Sequence, residues 1–423
     1  MVGKARFLGT VVAGCLLIWG SLTPLCAAEP DVARLIDLLK SKNILTQQEA
    51  DSLLTELDAD AKKERAAMQE EMKAAANKGE FLPPALRGFK FGTTIYGEWN
   101  SKTTDNAPST NQFNLNRAYL TLTKDVNDWL GMNVTTDFFN PNDPADNRDG
   151  LQLRLKFAYA NVNLFGVTTQ LGMIPTPSDA YDSALWPYRA QSANLWDGLG
   201  IQSTSDLGIS VQGPIGGTLD ADYLKFAAKS FAGKWGGYYV GIYNGPGFNN
   251  SENNHNKVFS GLVYVRPLPT TPILRGLQLA YVGTYGKSNS NFAAASGPVT
   301  DYPDFQANIV QASLQQEYFT IMGQYYWGKG TSLATEQNDR RGVLLNGFLR
   351  IPTLEKLRVF GKYYYYDPNT DRADFGYKTY VAGLSYDVAT EFMPFVAFER
   401  RDYDSLPAGN DYDKYQVGFQ LKF

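Results

Sequence analysis

This sequence has almost none of the residues from which redox, metal-binding or nucleophilic sites are built. Its 423 residues include two cysteines and one histidine. Cys15 and Cys26 lie in an N-terminal segment that we expect to be removed, so the mature chain would have no disulfide and no cysteine-bound metal or haem. His255 stands in an asparagine-rich stretch, where a histidine is more often exposed than paired with a catalytic serine. We therefore expect no enzymatic activity, no metal and no cofactor.

The N-terminus is typical of a secretory signal peptide. Two basic residues precede an apolar stretch over 7–20, and Ala27 and Ala28 provide the small side chains that a signal peptidase requires. Lipoprotein processing at Cys15 is the alternative, but the apolar stretch continues beyond this cysteine. We predict that residues 1–28 are a signal peptide and that the chain is exported.

Long apolar runs are also missing. No run of 18 or more apolar residues follows the signal peptide, which excludes membrane-spanning helices. The 43 acidic residues outnumber the 39 basic ones, so nucleic acid is not an expected partner. The chain instead has 26 Tyr, 24 Phe and 39 Gly together with a negative mean hydropathy. Short aromatic segments of alternating polarity are typical of a membrane β-barrel.

Residues 29–84 form a separate region with helical periodicity. Leucines recur at helical spacing near its start, and Thr46 and Glu49 form a capping box that opens a second helix. Glu64 and Glu71 would occupy core positions of a coiled coil, so such a seam would be weak. We predict a helical segment in the periplasm, either a solvated spacer or a stalk that associates beneath an oligomer.

From Gly88 onward the hydrophobic period changes from the helical value to two. The last strand is the clearest case, because every second residue in it is apolar: Tyr415, Val417, Phe419, Leu421 and Phe423. The same alternation runs from Leu151 to Tyr159. In a membrane barrel the apolar set faces lipid and the intervening polar set lines the lumen.

Sixteen strands can be counted over 85–423, joined alternately by long polar loops and by short turns. Their spans are 88–99, 112–123, 128–139, 151–164, 166–173, 205–213, 235–244, 257–266, 276–286, 305–315, 317–327, 341–351, 355–366, 376–387, 391–403 and 412–423. We predict an all-β fold, a transmembrane antiparallel β-barrel of sixteen strands with its short turns and Phe423 on the periplasmic side. The connection 214–234 is too long for a turn, and it holds either a short helix or two more strands, which would make eighteen.

A β-bulge is expected near Arg117. Phe113 and Leu115 are out of phase with Leu120 and Leu122, and one extra residue between them would bring both pairs onto the lipid face. The phase leaves the direction of Arg117 itself open.

Two short stretches complete the arrangement: Arg117-Ala118-Tyr119-Leu120 and Leu171-Gly172-Met173-Ile174-Pro175-Thr176-Pro177. With the signal peptide, the helical segment and the terminal aromatic strand, they make the chain resemble bacterial outer-membrane porins, specifically the phosphate-selective porin O and P family. The resemblance implies a homotrimer of sixteen-stranded barrels, a third loop folded into the pore, and a last strand whose Phe423 is read by the barrel-assembly machinery. It also implies phosphate selectivity through ladders of Arg and Lys, of which this chain has only fragments.

The third long loop, 174–204, is the longest. Its candidate pore-constriction residues are Asp179, Asp182, Arg189 and Asp197. A loop of this length in a compact barrel is usually folded inward or functional, and we expect it to narrow the pore. The alternative is that it packs outside the barrel against a neighbouring subunit.

The alternation also assigns charges to the lumen, since a charge on the lipid face costs about 2–4 kcal/mol at the membrane midplane. The basic lumen candidates are Arg154, Lys156, Lys356, Arg358 and Lys362, and the acidic ones are Glu98 and Asp137. Any single one of them is more often a solvated wall charge than a binding residue. Their mixed signs do not predict strong anion selection.

We predict a passive channel in the outer membrane for small hydrophilic solutes or ions, with lipid around it. A barrel that sheathes a partner such as an electron-carrying cytochrome is the alternative, and it requires a wide, open lumen. An adhesin or receptor would need larger outer loops than these.

Overall fold

The structure, a computed structural model, describes residues 88–139, 151–225, 227, 229–292, 301–405 and 409–423, with isolated positions between 38 and 70. The chain divides into two compact units, Met1–Arg87 and Gly88–Phe423. The signal peptide predicted over 1–28 lies outside the described residues.

The described positions of the first unit include short helical stretches between 38 and 70. The predicted capping box is present: the Thr46 backbone N–H donates to Glu49 Oε2 at 2.9 Å, and the Glu49 backbone N–H donates to Thr46 Oγ1 at 3.3 Å. The end of the helical segment near residue 84 lies outside the described residues and stays a prediction. Among the described residues, no helix is both long and apolar enough to cross a membrane.

The second unit is a closed barrel of sixteen antiparallel strands, in which each strand pairs with its neighbours in sequence and the first strand pairs with the last. The strands are β1 (Phe89–Thr104), β2 (Thr110–Asp125), β3 (Leu130–Phe139), β4 (Gln152–Leu164), β5 (Val167–Pro175), β6 (Ser205–Ile215), β7 (Gly236–Tyr243), β8 (Val258–Val265), β9 (Leu277–Lys287), β10 (Asp304–Gln315), β11 (Phe319–Lys329), β12 (Asp339–Ile351), β13 (Leu354–Asp367), β14 (Tyr377–Tyr386), β15 (Phe392–Tyr403) and β16 (Tyr412–Lys422). The predicted sixteen-stranded barrel is confirmed.

The eighteen-strand alternative is wrong. Between β6 and β7, the segment 216–235 contains two single-turn 3-10 helices, Tyr223–Lys225 and Lys229–Phe231, and an isolated bridge between Thr218 and Gly233. We call the rim that carries Phe423 the short-turn rim and the opposite one the long-loop rim. The Phe423 backbone closes the barrel there, donating to Thr93 O at 3.1 Å and accepting from the Thr93 N–H at 2.6 Å.

The two faces of the wall differ as the alternation predicts. In β16, Val417 is 52% exposed on the outside, whereas its neighbour Gln416 is 2% exposed and faces the interior. In β12, Leu345 is 50% exposed and Asn346 is 4% exposed. An apolar outer surface of this kind is suited to contact with lipid.

Two bulges in the first four strands set the direction of the wall charges Arg117 and Lys156. The pairing of β1 with β2 shifts where Tyr96 faces Arg117 and Gly97 faces Leu115, so the bulge predicted near Arg117 is present and Asn116 is its extra residue. A second shift, opposite Thr135 and Thr136, makes Lys156 the extra residue of β4. One extra residue reverses the alternation along a strand.

The prediction that Leu151 to Tyr159 alternate on one face is therefore wrong beyond Leu155. Leu153 and Leu155 are exposed on the outside as predicted. After the bulge at Lys156, Phe157 turns inward and lines a cavity together with Lys156.

The main apolar core of this barrel lies inside it. Fully buried side chains from β8, β9, β10 and β11 point inward, while their chain neighbours such as Phe259, Val263 and Val310 are exposed outside. The inward side chains include Leu262, Val282, Phe305, Ile309 and Tyr326. They pack against Tyr181 and Trp196 from the connection between β5 and β6. This half of the lumen is filled by protein.

Candidate functional site

The connection 176–204, which we call the internal loop, begins with helix α1 (Pro177–Leu185) and later includes the short helix α2 (Leu195–Gly198). Pro177 is the first residue of α1, a position where its missing N–H costs nothing. The base of the loop is closed by Thr176, whose backbone N–H donates to Thr204 O at 3.0 Å.

The internal loop crosses the interior of the barrel and binds the wall on the far side. Tyr181 Oη donates to Gln278 of β9 at 3.1 Å, and Tyr188 Oη lies 3.0 Å from Ser385 Oγ of β14. Gln191 Nε2 donates to Glu399 of β15 at 2.8 Å. Because these wall groups face inward, the loop lies within the ring of strands and not outside it.

Aromatic packing reinforces this attachment. The Tyr188 ring stacks on Phe360 of β13, with ring centroids 4.0 Å apart, and Trp186 packs against both rings. Such ring pairs contribute on the order of 1 kcal/mol each beyond the area that they bury.

Six charges form a continuous chain of ion pairs between the internal loop and the wall. Arg189 lies between Asp179 at 2.6 Å and Asp197 at 2.8 Å. The remaining contacts are Asp197 with Arg117 at 3.4 Å, Arg117 with Asp137 at 4.0 Å, and Asp137 with Arg154 at 2.8 Å. The chain has three charges of each sign, and we call it the six-charge network.

The network unites residues that the sequence pointed to separately. The sequence predicted three members in the loop, namely Asp179, Arg189 and Asp197. It predicted two more on the wall, Asp137 and Arg154. The sixth member, Arg117, joins the two groups, and the sequence left its direction open. Burial alone would lower the pKa of Arg189, but the two carboxylates outweigh burial and raise this pKa above its usual value.

Asp182 does not join the network. It is buried in α1 and accepts a hydrogen bond from Gln324 Nε2 of β11 at 2.8 Å. Burial, with a further contribution from the nearby Asp179, raises the pKa of Asp182 to about 7. This carboxyl therefore holds a proton at pH values where most carboxyls are ionised.

Lys156 of the wall contacts a hydroxyl and aromatic rings. Its Nζ donates to Thr204 Oγ1 at 2.6 Å and lies 4.7 Å from the centre of the Phe248 ring. No carboxylate of the described residues lies within ion-pair distance of it. Lys156 lines a cavity of about 470 Å³ between the internal loop and the wall from β1 to β7, with Arg189 and Lys422 also in its lining.

The other predicted wall charges are distributed along the lumen. Lys362 donates to Ser192 Oγ of the internal loop at 2.6 Å, and Glu98 accepts from Gln416 Nε2 at 2.6 Å. Arg358 forms an ion pair with Asp387. Arg358 also interacts with the Tyr188 side chain of the internal loop. Lys356 is exposed in a cavity at the short-turn rim that Arg358 also lines, and this cavity has no lining residue from the internal loop.

The segment 216–235 supports the internal loop from the short-turn rim. Phe231 packs edge-on against Tyr181 of α1, with ring centroids 5.0 Å apart. Arg266 fixes the segment by donating to Phe231 O at 2.9 Å and to Gly233 O at 3.0 Å. Sequence reasoning missed this role, and the unusual length of the connection was its only visible signal.

The remaining candidates for chemistry are sparse. His255 is exposed in the loop between β7 and β8. Within the described ranges, no group of three or more His, Cys, Asp or Glu side chains is arranged to hold a metal ion.

No protein-family model and no curated protein matches this chain. Solved outer-membrane proteins share its fold. The anion-selective porin of Comamonas acidovorans is 13% identical with a TM-score of 0.54, over 79% of this chain and 99% of that one. OprB of Pseudomonas putida is 11% identical with a TM-score of 0.55, over 79% and 94%. OmpT of Vibrio cholerae, in its trimer form, is 13% identical with a TM-score of 0.50, over 79% and 99%. Identities this low show a common fold.

We expect the free energy of unfolding of the wild type to decrease as the pH rises from 4 to 7, and we expect Asp182→Asn to make this decrease smaller. The unfolded carboxyl ionises near pH 4 and the native one near 7, so the native state holds one more proton across this window and loses stability as the pH rises. Between pH 4 and 7, the wild type should lose on the order of a few kcal/mol of its free energy of unfolding relative to the variant. Above pH 7 the difference should not change further.

Denaturant unfolding of the protein in detergent between pH 4 and 8 measures this difference. Asp371→Asn, at an exposed loop position, controls for the loss of one carboxylate. Parallel pH profiles for wild type and Asp182→Asn would contradict the burial assigned to this group.

Proposed function

We propose that this protein is a passive diffusion channel of the outer membrane for small hydrophilic solutes or ions. One observation carries the proposal: a closed barrel with an apolar outer face encloses a cavity lined by charged and polar side chains, beside a loop that is fixed across the lumen. Aqueous passage requires polar walls, and a rigid constriction makes passage selective by size and charge. The proposal includes no enzymatic step and no cofactor.

The proposed constriction lies where the internal loop faces the wall at Lys156. The six-charge network contributes no net charge there, whereas Lys156 and Lys422 have no carboxylate at ion-pair distance among the described residues. These two lysines support a moderate preference for anions. They do not form the long ladder that the resemblance to phosphate-selective porins would require, so we assign no dedicated phosphate pathway.

The sheath alternative is not favoured, because it requires a wide lumen. The internal loop crosses the interior, and both it and the segment 216–235 pack there against buried apolar side chains. A folded partner chain would have to displace both.

The remaining parts of the proposal concern assembly. A homotrimer is supported by the likeness to the trimer form of OmpT of Vibrio cholerae, whose barrel has the same fold. We propose that residues 1–28 are cleaved, that 29–84 form a helical periplasmic segment, and that Phe423 is the barrel-assembly signal. Phe423 is 68% exposed at the short-turn rim, where such a signal would be accessible.

Purified protein should produce stepwise conductance increases in planar lipid bilayers, because each inserted barrel adds one aqueous path. Heat-denatured protein at the same concentration is the control. An absence of steps from protein that is folded by circular dichroism and gel mobility would reject the channel.

Removal of residues 179–197 should increase the conductance of each step. This deletion takes out most of the internal loop, including Asp179, Asp182, Arg189 and Asp197, while the strands on either side remain. Shortening the loop 368–376 at the long-loop rim is a matched control that should leave the step size unchanged. Equal steps from wild type and the 179–197 deletion would place the constriction elsewhere.

Lys156→Gln should shift the reversal potential in a KCl gradient toward cation preference, because it removes a charge that no carboxylate compensates. The double variant Asp137→Asn with Arg154→Gln removes an ion pair without changing net charge, and it should keep the wild-type value. A shift in the double variant as large as that in Lys156→Gln would contradict the assignment of charge at the constriction.

A further inference from the structure

A second cavity, of about 220 Å³, lies between the internal loop and the wall from β11 to β16. It is on the opposite side of the loop from the Lys156 cavity, and Trp186 lines both. The mechanism of passage proposed above does not use it. Its lining combines an apolar side with buried charged groups, which is the composition of a ligand site more than of a plain solvent path.

The apolar side of this cavity consists of Leu195 and Leu199 from the internal loop with Met322 and Leu344 from the wall. Trp186 adds an aromatic surface. A cavity of about 150 Å³ with an apolar lining is large enough to hold benzene. The present cavity therefore has room for a compact hydrocarbon or aromatic body with one small polar group.

The charged side of the cavity carries more positive than negative charge. Glu399 is compensated by Lys414 at 3.4 Å. Lys362 and Arg401 have no carboxylate at ion-pair distance within the described residues. Lys362 donates to the hydroxyl of Ser192 at 2.6 Å, and Arg401 donates to the hydroxyls of Tyr364 at 2.5 Å and Thr379 at 3.0 Å.

Asp182 is the other carboxyl in the lining, and it is already hydrogen-bonded to Gln324. The hydroxyl partners of Lys362 and Arg401 do not neutralise charge. Two cations beside an apolar surface therefore require an anion that also has an apolar part.

We propose that this cavity is a binding site for small amphipathic carboxylates. The carboxylate lies toward Lys362 and Arg401, and the apolar body packs against Leu195, Leu199 and Leu344. Binding at such a site concentrates these solutes inside the barrel, whereas small inorganic ions pass on the Lys156 side. The inference rests on the proposed channel function, since the solute reaches the cavity through the lumen.

Titration calorimetry on the purified protein in detergent tests the site directly, with benzoate, benzamide and acetate as probes. Benzoate has both a negative charge and an apolar ring. Benzamide has the ring without the charge, and acetate has the charge without the ring. Benzoate should bind at least about tenfold more tightly than either, since a charge-assisted hydrogen bond or the burial of a ring each contributes that much. Benzamide or acetate binding as tightly as benzoate would overturn the proposal, and so would no binding of benzoate.

Lys362→Met should weaken benzoate binding about tenfold or more, because it removes the charge and keeps the length of the side chain. Lys287→Met, at the long-loop rim beside Asp304, is the matched control and should bind as the wild type does. Ala193→Leu narrows the cavity without changing charge and should also weaken binding, which keeps the test open if Lys362→Met fails to fold. Wild-type affinity for benzoate in either Lys362→Met or Ala193→Leu would overturn the proposal that benzoate binds in this cavity.

The two proposals fail separately. Conductance without benzoate binding would leave the channel standing and reject the carboxylate site. Binding without conductance would keep the site and reject the channel.

Discussion

The attachment of Arg189 between Asp179 and Asp197 is the interaction on which the interior of this barrel depends. A buried guanidinium is tolerated only where carboxylates offset the loss of hydration. Asp197 in turn contacts Arg117, whose direction is set by the bulge at Asn116, and Arg117 reaches the Asp137–Arg154 pair. A single extra residue in β2 therefore couples the internal loop to three strands of the wall. Loss of Arg189 would leave the buried carboxylate of Asp179 without its cation, and an uncompensated buried charge is strongly destabilising.

The lumen is divided between two kinds of surface. From β8 to β11 the inward side chains are apolar and the internal loop covers them, with Phe231 filling the space beneath. From β1 to β6 the inward surface carries the wall members of the six-charge network and Lys156, and a cavity of about 470 Å³ separates part of it from the internal loop. The apolar part supplies the burial that holds the loop in position, and the polar part lines the cavity through which we propose that solutes pass. A loop held only by surface ion pairs would be weakly fixed, because such pairs contribute little in water.

The same division explains what the sequence could and could not predict. In β16, polar Gln416 alternates with apolar Val417, so the direction of each side chain follows from the pattern. In β8 and β10, Leu262 and Ile309 face inward while Val263 and Val310 face outward, so both faces are apolar and alternation carries no information about direction. The bulge at Asn116 was visible because it interrupts an apolar series, whereas the one at Lys156 was hidden because Phe157 continues it. Arg401 and Glu399 went unnoticed because their strand also presents Phe395 and Ala397 inward. Contacts such as Gln191 with Glu399 join residues 208 positions apart, and no local pattern reports them.

The hydrogen bonds of Gln416 have a consequence for the order of folding. Its side chain donates to Glu98 of β1 and to the backbone carbonyl of Gln191 in the internal loop, so it stands at the seam where the first and last strands meet. Contacts between residues this distant in sequence form late, because a long chain must be brought together before they are made. The hydrogen bonds between the internal loop and Gln416 are therefore among the last contacts of the loop to form. The pairing that closes the barrel and the last contacts that fix the loop across its lumen thus share one side chain, Gln416.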